Sequence, residues 1–547
     1  MDLVLWATAL ESFGVNYREF VIDGKHFLDK MDWHSIQPTH EKIHCGSFLG
    51  AGVTNNIKRR ALRVAVGCAA AVWLAIGAAI AGPWAEVGDA QLRSDIDILA
   101  TAGVIDNMTM TWPIPWDGIL NRLDQPNALA SQPDYVRDAA FRVRERGVEQ
   151  TPTGVVRASI SIDAASNPAV VRGFDALGRQ TAQGQATVEY LSDTTAMHLS
   201  VGGQTANRTD RQTLVADGSY IAQRLGNAAI YAGYRTHWWG PGWISAMSLS
   251  NNARPVPQIG ITRIDTTPFE SPWLSWLGPW QMEFFVGVLD GPRIARNTIY
   301  DGFRFNFSPL PHLEIALART DEMCGTGHPC KPIAYYVDLT NQNNNVNHVN
   351  DEGTIDVRYS GAFAHLAYEV YLQFMNEDTN PFIHSGTSHL FGASAWLPID
   401  GGVERLTVEY ANSLATYEIW GGGIQHGFSY NNGGYPDGMR YRDRTLGFSL
   451  DSDSQLLSVQ ADFTDEHARA FTLTYHRALV SDPLNTGRNV VTTAPATINI
   501  LEGRMSLPLK LSASGMHLDL VGRLQDDQPR PDKGFEVSVE AALTINL

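Results

Sequence analysis

The apolar positions of this chain change period once. From about residue 153 to the end they recur every second residue. Phe303, Phe305 and Phe307 alternate with Arg304 and Asn306, and Leu313, Ile315 and Leu317 follow the same rule. Leu366, Tyr368, Val370 and Leu372 lie opposite Glu369 and Gln373. Phe535, Val537, Val539, Ala541, Leu543, Ile545 and Leu547 carry the pattern to the final residue. A period of two places one face of each strand in apolar surroundings and the other among polar groups. Upstream, residues 82 to about 150 show helical spacing instead. Leu92, Ile96 and Leu99 share one face, with Gly103 as a stop. Trp116 to Leu123 reads as a short second element. Ser131-Gln132-Pro133-Asp134 reads as a cap for a third, with Val136, Ala140 and Val143 on one face and Gly147 closing it.

A soluble sandwich also has alternating strands, but rarely so many of this length. The roughly 390 residues after the helical part permit about 16–20 membrane strands with turns and loops, and closure favours an even number. The pattern therefore predicts a mainly β protein, a large transmembrane antiparallel barrel. A barrel this wide leaks unless its lumen is filled. The short one-faced helices are the expected plug.

A targeting segment agrees with this. Lys58-Arg59-Arg60-Ala61-Leu62-Arg63 precedes an uncharged run from Val64 to Ala81 that ends Ala79-Ile80-Ala81. A basic region, an apolar run and a small-x-small site make a secretory signal, with cleavage expected before Gly82. A membrane anchor is the alternative, since the run approaches the ~18-residue span. Its Ala- and Gly-rich end makes it weakly hydrophobic. Fifty-seven residues precede Lys58. They read as a lead produced by a misplaced start, with Val53 a possible true start, or as a real extension. The expected divisions are a lead over 1–57, a signal over 58–81, a helical bundle over 82–152 and a barrel over 153–547.

Composition narrows the class further. The chain has 547 residues, 49 of them Gly, and only 18% are charged. A mean hydropathy of -0.17 is too low for a bundle of membrane helices yet suits strands that alternate. The net charge of -17 argues against nucleic acid as a partner. Cys45 and Cys68 fall in the lead and signal. Cys324 and Cys330 bracket a Gly/Pro loop, which favours a disulfide in an oxidising compartment. Two free thiols, or half a metal site, are the alternatives. With His328 alone beside them the ligands are too few for a closed zinc site, and no cofactor or metal is expected.

Three stretches carry candidate chemistry. His237-Trp238-Trp239-Gly240-Pro241-Gly242-Trp243 runs into Ser250-Asn251-Asn252-Ala253-Arg254-Pro255. Trp238, Trp239 and Trp243 can stack on sugar rings, and Asn251, Asn252 and Arg254 can bond hydroxyls. The same residues equally suit a structural inward fold, with Arg254 paired to a lumen carboxylate. Asn341 to Asp351 is a polar run that fits a glycan, a cation or simply solvent. Tyr435, Tyr441, Arg440, Arg442 and Arg444 suit an acidic polymer, or else lumen pairs with Asp437, Asp443, Asp451 and Asp453. No Walker loop, His-Glu-x-x-His or Gly-x-Ser-x-Gly is present, so the chain does not read as an enzyme.

The tryptophan/Ser-Asn-Asn-Ala-Arg-Pro stretch resembles the signature of the Wzi capsule-assembly family of outer-membrane proteins. Thr111-Trp112-Pro113-Ile114, the stretch from Tyr371 through Asn376-Glu377-Asp378, and Tyr435 to Gly447 agree with that family over roughly residues 85–547. The resemblance implies a barrel of about 18 strands closed at the periplasmic end by a helical bundle. It also implies a Gram-negative outer-membrane protein that attaches capsular or related polysaccharide to the cell surface as a lectin, without catalysis. Its expected partners are capsular or extracellular polysaccharide and outer-membrane lipid, with the chain a monomer. A sugar-selective porin shares the barrel but needs an open lumen. An outer-membrane hydrolase or acyltransferase needs a nucleophile and base near one rim.

Overall fold

The computed structural model describes residues 84–125, 127–207, 210–330, 349–363, 366–377, 386–419, 421–511, 514–528 and 535–547. The lead and the signal lie outside the described residues, as do Asn341 to His348. Among the described residues no helix is long and apolar enough to cross a membrane.

Eighteen antiparallel strands close the barrel. They are β1 (Val156–Ala165), β2 (Ala182–Leu191), β3 (Thr195–Gln204), β4 (Tyr220–Leu225), β5 (Ala228–Gly233) and β6 (Gln258–Arg263). Next come β7 (Trp280–Leu289), β8 (Thr298–Leu310), β9 (Leu313–Met323), β10 (Asn350–Phe363), β11 (Leu366–Glu377) and β12 (Thr387–Ile399). The last are β13 (Gly402–Glu418), β14 (Gln455–Asp465), β15 (Ala470–Val480), β16 (Ala496–Leu511), β17 (Ser514–Gln528) and β18 (Glu536–Asn546). Two short segments, Leu214–Val215 and Gly421–Gln425, extend the hairpins beside β3 and β13. The ring shuts where β18 pairs β1, from Glu540 opposite Ala165 to Asn546 opposite Ser159. Closure leaves no open edge, which a lipid environment demands.

The alternation sorts the faces as the sequence predicts. Phe303, Leu317, Val370, Leu473, Leu520 and Val539 are exposed on the outer wall. Arg304, Asn306, Glu369 and Gln373 are buried on the inner one. Polar groups tolerate the interior because other protein segments fill it and supply partners.

Three helices enter that interior. In α1 (Ala90–Thr101) the Asp89 carboxylate accepts from the Leu92 amide at 2.9 Å, and Leu92, Ile96 and Leu99 are buried. The second helix is α2 (Trp116–Leu123). The third, α3 (Asp134–Gln150), differs from expectation at both ends. Its cap is Pro133, with no side-chain bond, and Gly147 lies inside the helix rather than ending it. A Cβ at Gly147 would sit 2.6 Å from Leu120, so this glycine permits a close helix crossing instead of a stop. Strand side chains hold the helices. Trp396 donates to Ser94 Oγ at 2.8 Å, and Arg358 bonds Asp97 at 3.0 Å. Apolar residues of all three helices join one core with Trp112, Trp238 and Trp239.

Connections differ sharply between the two ends. The turns after β2, β4, β8, β12 and β14 are two to four residues long. Short turns mark the periplasmic end of such barrels, and α1 packs there. The opposite end carries the long connections, including 166–181, 234–257 and 419–454.

Candidate functional site

The connection 234–257 does not project outward; it folds into the lumen. Trp238 and Trp239 pair antiparallel with Trp112 and Thr111 of the N-terminal part. Gly242 makes the return possible, since a Cβ there would lie 2.1 Å from the Ser245 carbonyl oxygen. Arg93 of α1 donates to the carbonyls of Gly242 and Pro241 at 2.9 and 2.7 Å. Its guanidinium also lies 4.1 Å from the Trp243 ring, with Arg405 on the same indole at 3.3 Å. The wall completes the cage. Trp243 donates its amide to Glu409 and its indole N–H to Glu369, both at 2.8 Å. Gln373 accepts from the Met247 amide and donates to the Trp239 carbonyl.

The polar half of the motif is equally occupied. Asn251 donates to the carbonyls of Gly173 and Phe174, and Asn252 to both oxygens of Thr445. Arg254 holds Asp217 at 2.7 Å and Asp210 at 3.1 Å. Burial opposes the charge on Arg254, but these two carboxylates outweigh it and raise its pKa. Arg179, which donates to the carbonyls of Asn251 and Asn252, is lowered to about 10 by its burial. Trp238, Trp239, Trp243, Asn251, Asn252 and Arg254 are each at most 7% exposed. As folded, all six are brought together, and none offers a free face to a polymer outside.

His237 sits at the root of the same loop, stacked on Phe285 at 5.1 Å. The Gln258 amide nitrogen lies 2.8 Å from the Arg235 carbonyl and 2.9 Å from His237 Nε2. Donation to both assigns His237 Nε2 as an acceptor and the ring as neutral. Burial depresses its pKa to about 4, against an opposing pull from Glu283. In the unfolded chain a histidine titrates near 6.5, so between pH 6.5 and 4 the unfolded state binds the extra proton. Acidification through that window is expected to cost on the order of 3 kcal/mol of stability from this residue. Folding titrations in lipid vesicles at pH 7 and pH 4 check it. His237→Phe should show a flatter pH dependence, and an equal dependence would refute the assignment.

At the outer mouth the connection 419–454 lies over the inward loop. Tyr430 donates its hydroxyl to the Met247 carbonyl, and Ser250 donates to the Gly447 carbonyl at 2.6 Å. A Cβ at Gly447 would come 1.9 Å from the Met247 oxygen, so only glycine allows this approach. Arg440 ties the layer together. It bonds both oxygens of Asp451 and donates to the carbonyls of Tyr430, Asp437 and Arg488. Two clefts open beside it. One, of about 330 Å³, is lined by Arg293, Asp437, Arg440, Tyr441, Arg442, Asp443 and Arg488. The other, of about 500 Å³, is lined by Phe428, Asn431, Asn432, Pro436, Thr486 and Arg488, among others. Cys324 and Cys330 are bonded to one another, and the Cys324 carbonyl accepts from the Tyr435 hydroxyl at 3.1 Å. His328 stacks on that same tyrosine at 4.2 Å.

Pairing among the mouth arginines departs from simple sequence neighbours. Arg440 takes Asp451, but Arg442 takes Asp210 and Asp290, and Arg444 reaches Asn252. Asp437 and Asp443 go instead to Arg488. Asn350 and Asp351, at the end of the polar run, begin β10 and are buried. Sequence reading also missed Asn431, Asn432 and Thr486 as cleft residues. The Asn-Asn-Gly-Gly turn ahead of Tyr435 was the available signal.

A third cavity, of about 860 Å³, remains in the lumen beside α1 and α3 and the inner faces of β1–β3 and β16–β18. Its wall includes Ser506, whose hydroxyl lies 2.8 Å from His517 Nε2. Asp519 approaches that same nitrogen, at 3.6 Å, and is bonded to Arg504. A hydrolytic triad needs the carboxylate on the other ring nitrogen, where it orients the base. Among the described residues no group of three His, Cys, Asp or Glu side chains is placed to hold a metal ion.

These features define a class: an outer-membrane β-barrel whose interior is occupied by its own N-terminal helices and an inward-folded loop. The family model for capsule assembly protein Wzi matches residues 151–520, and the chain belongs to that family. It is 25% identical over 267 residues to a Klebsiella pneumoniae protein described as an "uncharacterized 55.8 kDa protein in cps region". That match covers 47% of this chain and 50% of the relative, so the chain spans about half the length of the curated relative it matches. The fold is similar to the solved structure of Wzi of Escherichia coli, with a TM-score of 0.72 and 19% identity. The likeness covers 85% of this chain and 99% of that one. The Escherichia coli protein is described as an outer-membrane protein involved in group 1 capsule assembly and a carbohydrate-binding β-barrel.

Proposed function

We propose that this chain is a non-catalytic lectin that holds capsular or related polysaccharide at the outer mouth of its barrel, acting as a monomer. The observation that carries this reading is the obstructed lumen. The loop 234–257 and the helices occupy the interior, while the clefts around Arg440 and Asn431 open among the outer connections. Arg488, whose side chain stays 43% exposed beside Asp437 and Asp443, suits the carboxylates of acidic sugars, and the Asn and Thr side chains suit hydroxyls. Each contact is weak, but a polymer offers many repeats at high effective concentration, so modest single sites suffice. The buried signature residues, from Trp238 to Arg254, support this mouth from below rather than touching the polymer.

Cells lacking the protein are expected to make and export their polysaccharide while shedding more of it into the medium. Comparing shed and cell-bound polymer tests this. A halt in synthesis or export, or an unchanged distribution, defeats the attachment reading. Single-channel conductance addresses the porin alternative, because a plugged barrel should carry little current.

A further inference from the structure

We propose that residues 264–279 form a lipid anchor, an aromatic loop seated in the phospholipid of the periplasmic leaflet of the outer membrane. The connection between β6 and β7 stands out at its end of the barrel. The other connections between described strands there are two to four residues long, whereas this one runs from 264 to 279. Nothing in hairpin geometry requires the extra length.

Its path shows which way it faces. The root is fixed: Ile264 is 1% exposed, and Thr266 donates to Asp106 of the helical part at 2.6 Å. Arg263 donates to the Thr267 carbonyl at 2.7 Å and lies 3.7 Å from the Trp280 ring. The loop then turns against the outside of the wall rather than across the lumen. Phe269 stacks on Trp280 at 4.3 Å, and Trp276 meets Phe307 edge-on at 6.1 Å. Phe307 belongs to the outward row of β8, opposite Trp280 of β7. The loop is thus continuous with the lipid-facing belt.

Its tip carries the surface. A single tight turn over Ser275–Leu277 buries Leu277 and leaves Trp273, Leu274 and Trp276 exposed by 85%, 41% and 61%. Indole rings favour the boundary between acyl chains and headgroups, where the ring leaves water while its N–H keeps an acceptor. Arg263 beside Trp280 places a cation at the same level, suited to phosphate oxygens. A soluble periplasmic protein would instead call for a patch facing along the barrel axis, away from the lipid belt.

The test uses the full mature protein folded into phosphatidylethanolamine/phosphatidylglycerol vesicles, with and without lipid brominated near the top of the acyl chain. The emission difference between wild type and a Trp273→Ser/Trp276→Ser double variant isolates the two indoles. It should be quenched by the brominated lipid and shielded from acrylamide in water. Trp273→Phe/Trp276→Phe, which retains apolar rings, supplies the same difference if the serine pair folds poorly. Quenching by acrylamide without quenching by bromine would overturn the proposal and leave the loop as a free periplasmic surface. Shielding from both quenchers, with a protein–protein cross-link from a photoreactive residue at position 273, would overturn it in favour of a second copy.

Discussion

Arg358→Ala is expected to destabilise the plugged barrel by about 3–5 kcal/mol, the usual cost of removing one partner from a buried ion pair. Arg358 is 1% exposed and projects from β10 into the lumen. There it donates to Glu369 of the wall at 2.6 Å, to Asp97 of α1 at 3.0 Å and to Asn107 at 2.6 Å. Glu369 also accepts from the Trp243 indole. One guanidinium therefore joins the wall, the N-terminal helix and the inward loop. Its loss leaves two carboxylates buried without that cation, and the cost comes from those charges more than from the contacts removed. Loosened plug packing should also raise conductance in planar bilayers. Adding Asp97→Asn should recover part of the stability, because one of the stranded charges disappears. Unchanged denaturation midpoints and unchanged current in Arg358→Ala would show that the helices are held by apolar packing alone.

Arg440→Ala is expected to weaken polysaccharide binding by at least about ten-fold, equivalent to 1.4 kcal/mol, while leaving the barrel folded. Arg440 lies in an outer connection, and its six side-chain bonds link segments around Tyr430, Asp437, Asp451 and Arg488. It lines the smaller cleft, and Arg488, whose carbonyl it holds, lines both. Without it Asp451, fully buried, loses its cation. The loops that shape both clefts should then separate. Arg440→Lys should retain part of the binding, since an ammonium keeps the charge but cannot reproduce the forked bonds. Binding of the host's own surface polymer to immobilised protein measures the change. Wild-type affinity in Arg440→Ala would move the binding surface away from these clefts.

The strands were the most legible part of the chain, and the reason is local. A period of two follows from the pleat, so Phe303, Phe305 and Phe307 announce an outward row without knowledge of any neighbour. Helices α1 and α2 were legible in the same way. The end of α3 was not, because Gly147 carries the usual mark of a stop while its role is to let Leu120 approach. At the mouth, Arg442 and Arg444 stand beside Asp443 in sequence yet find Asp210, Asp290 and Asn252 in space. Charge pairing across a barrel mouth depends on which connections meet, and that information is not local.

Sequence by itself determined the architecture here: an alternating β-barrel behind a helical segment, with a Trp/Ser-Asn-Asn-Ala-Arg-Pro motif of one family. Each of these rests on short-range periodicity or on a contiguous motif. Only the tertiary structure decided what the motif does. Trp238, Trp239 and Trp243 have the composition of a sugar platform, but Arg93, Glu369 and Glu409, each more than 100 residues away in the chain, enclose them in the lumen. Only the closed ring could likewise show that residues 264–279 turn against the outer face of the wall while 234–257 turn inward. Both are Pro- and Trp-rich connections. The direction each takes is set by the partners the wall presents: buried Glu and Gln side chains inside for one, and outward Trp280 and Phe307 rings for the other.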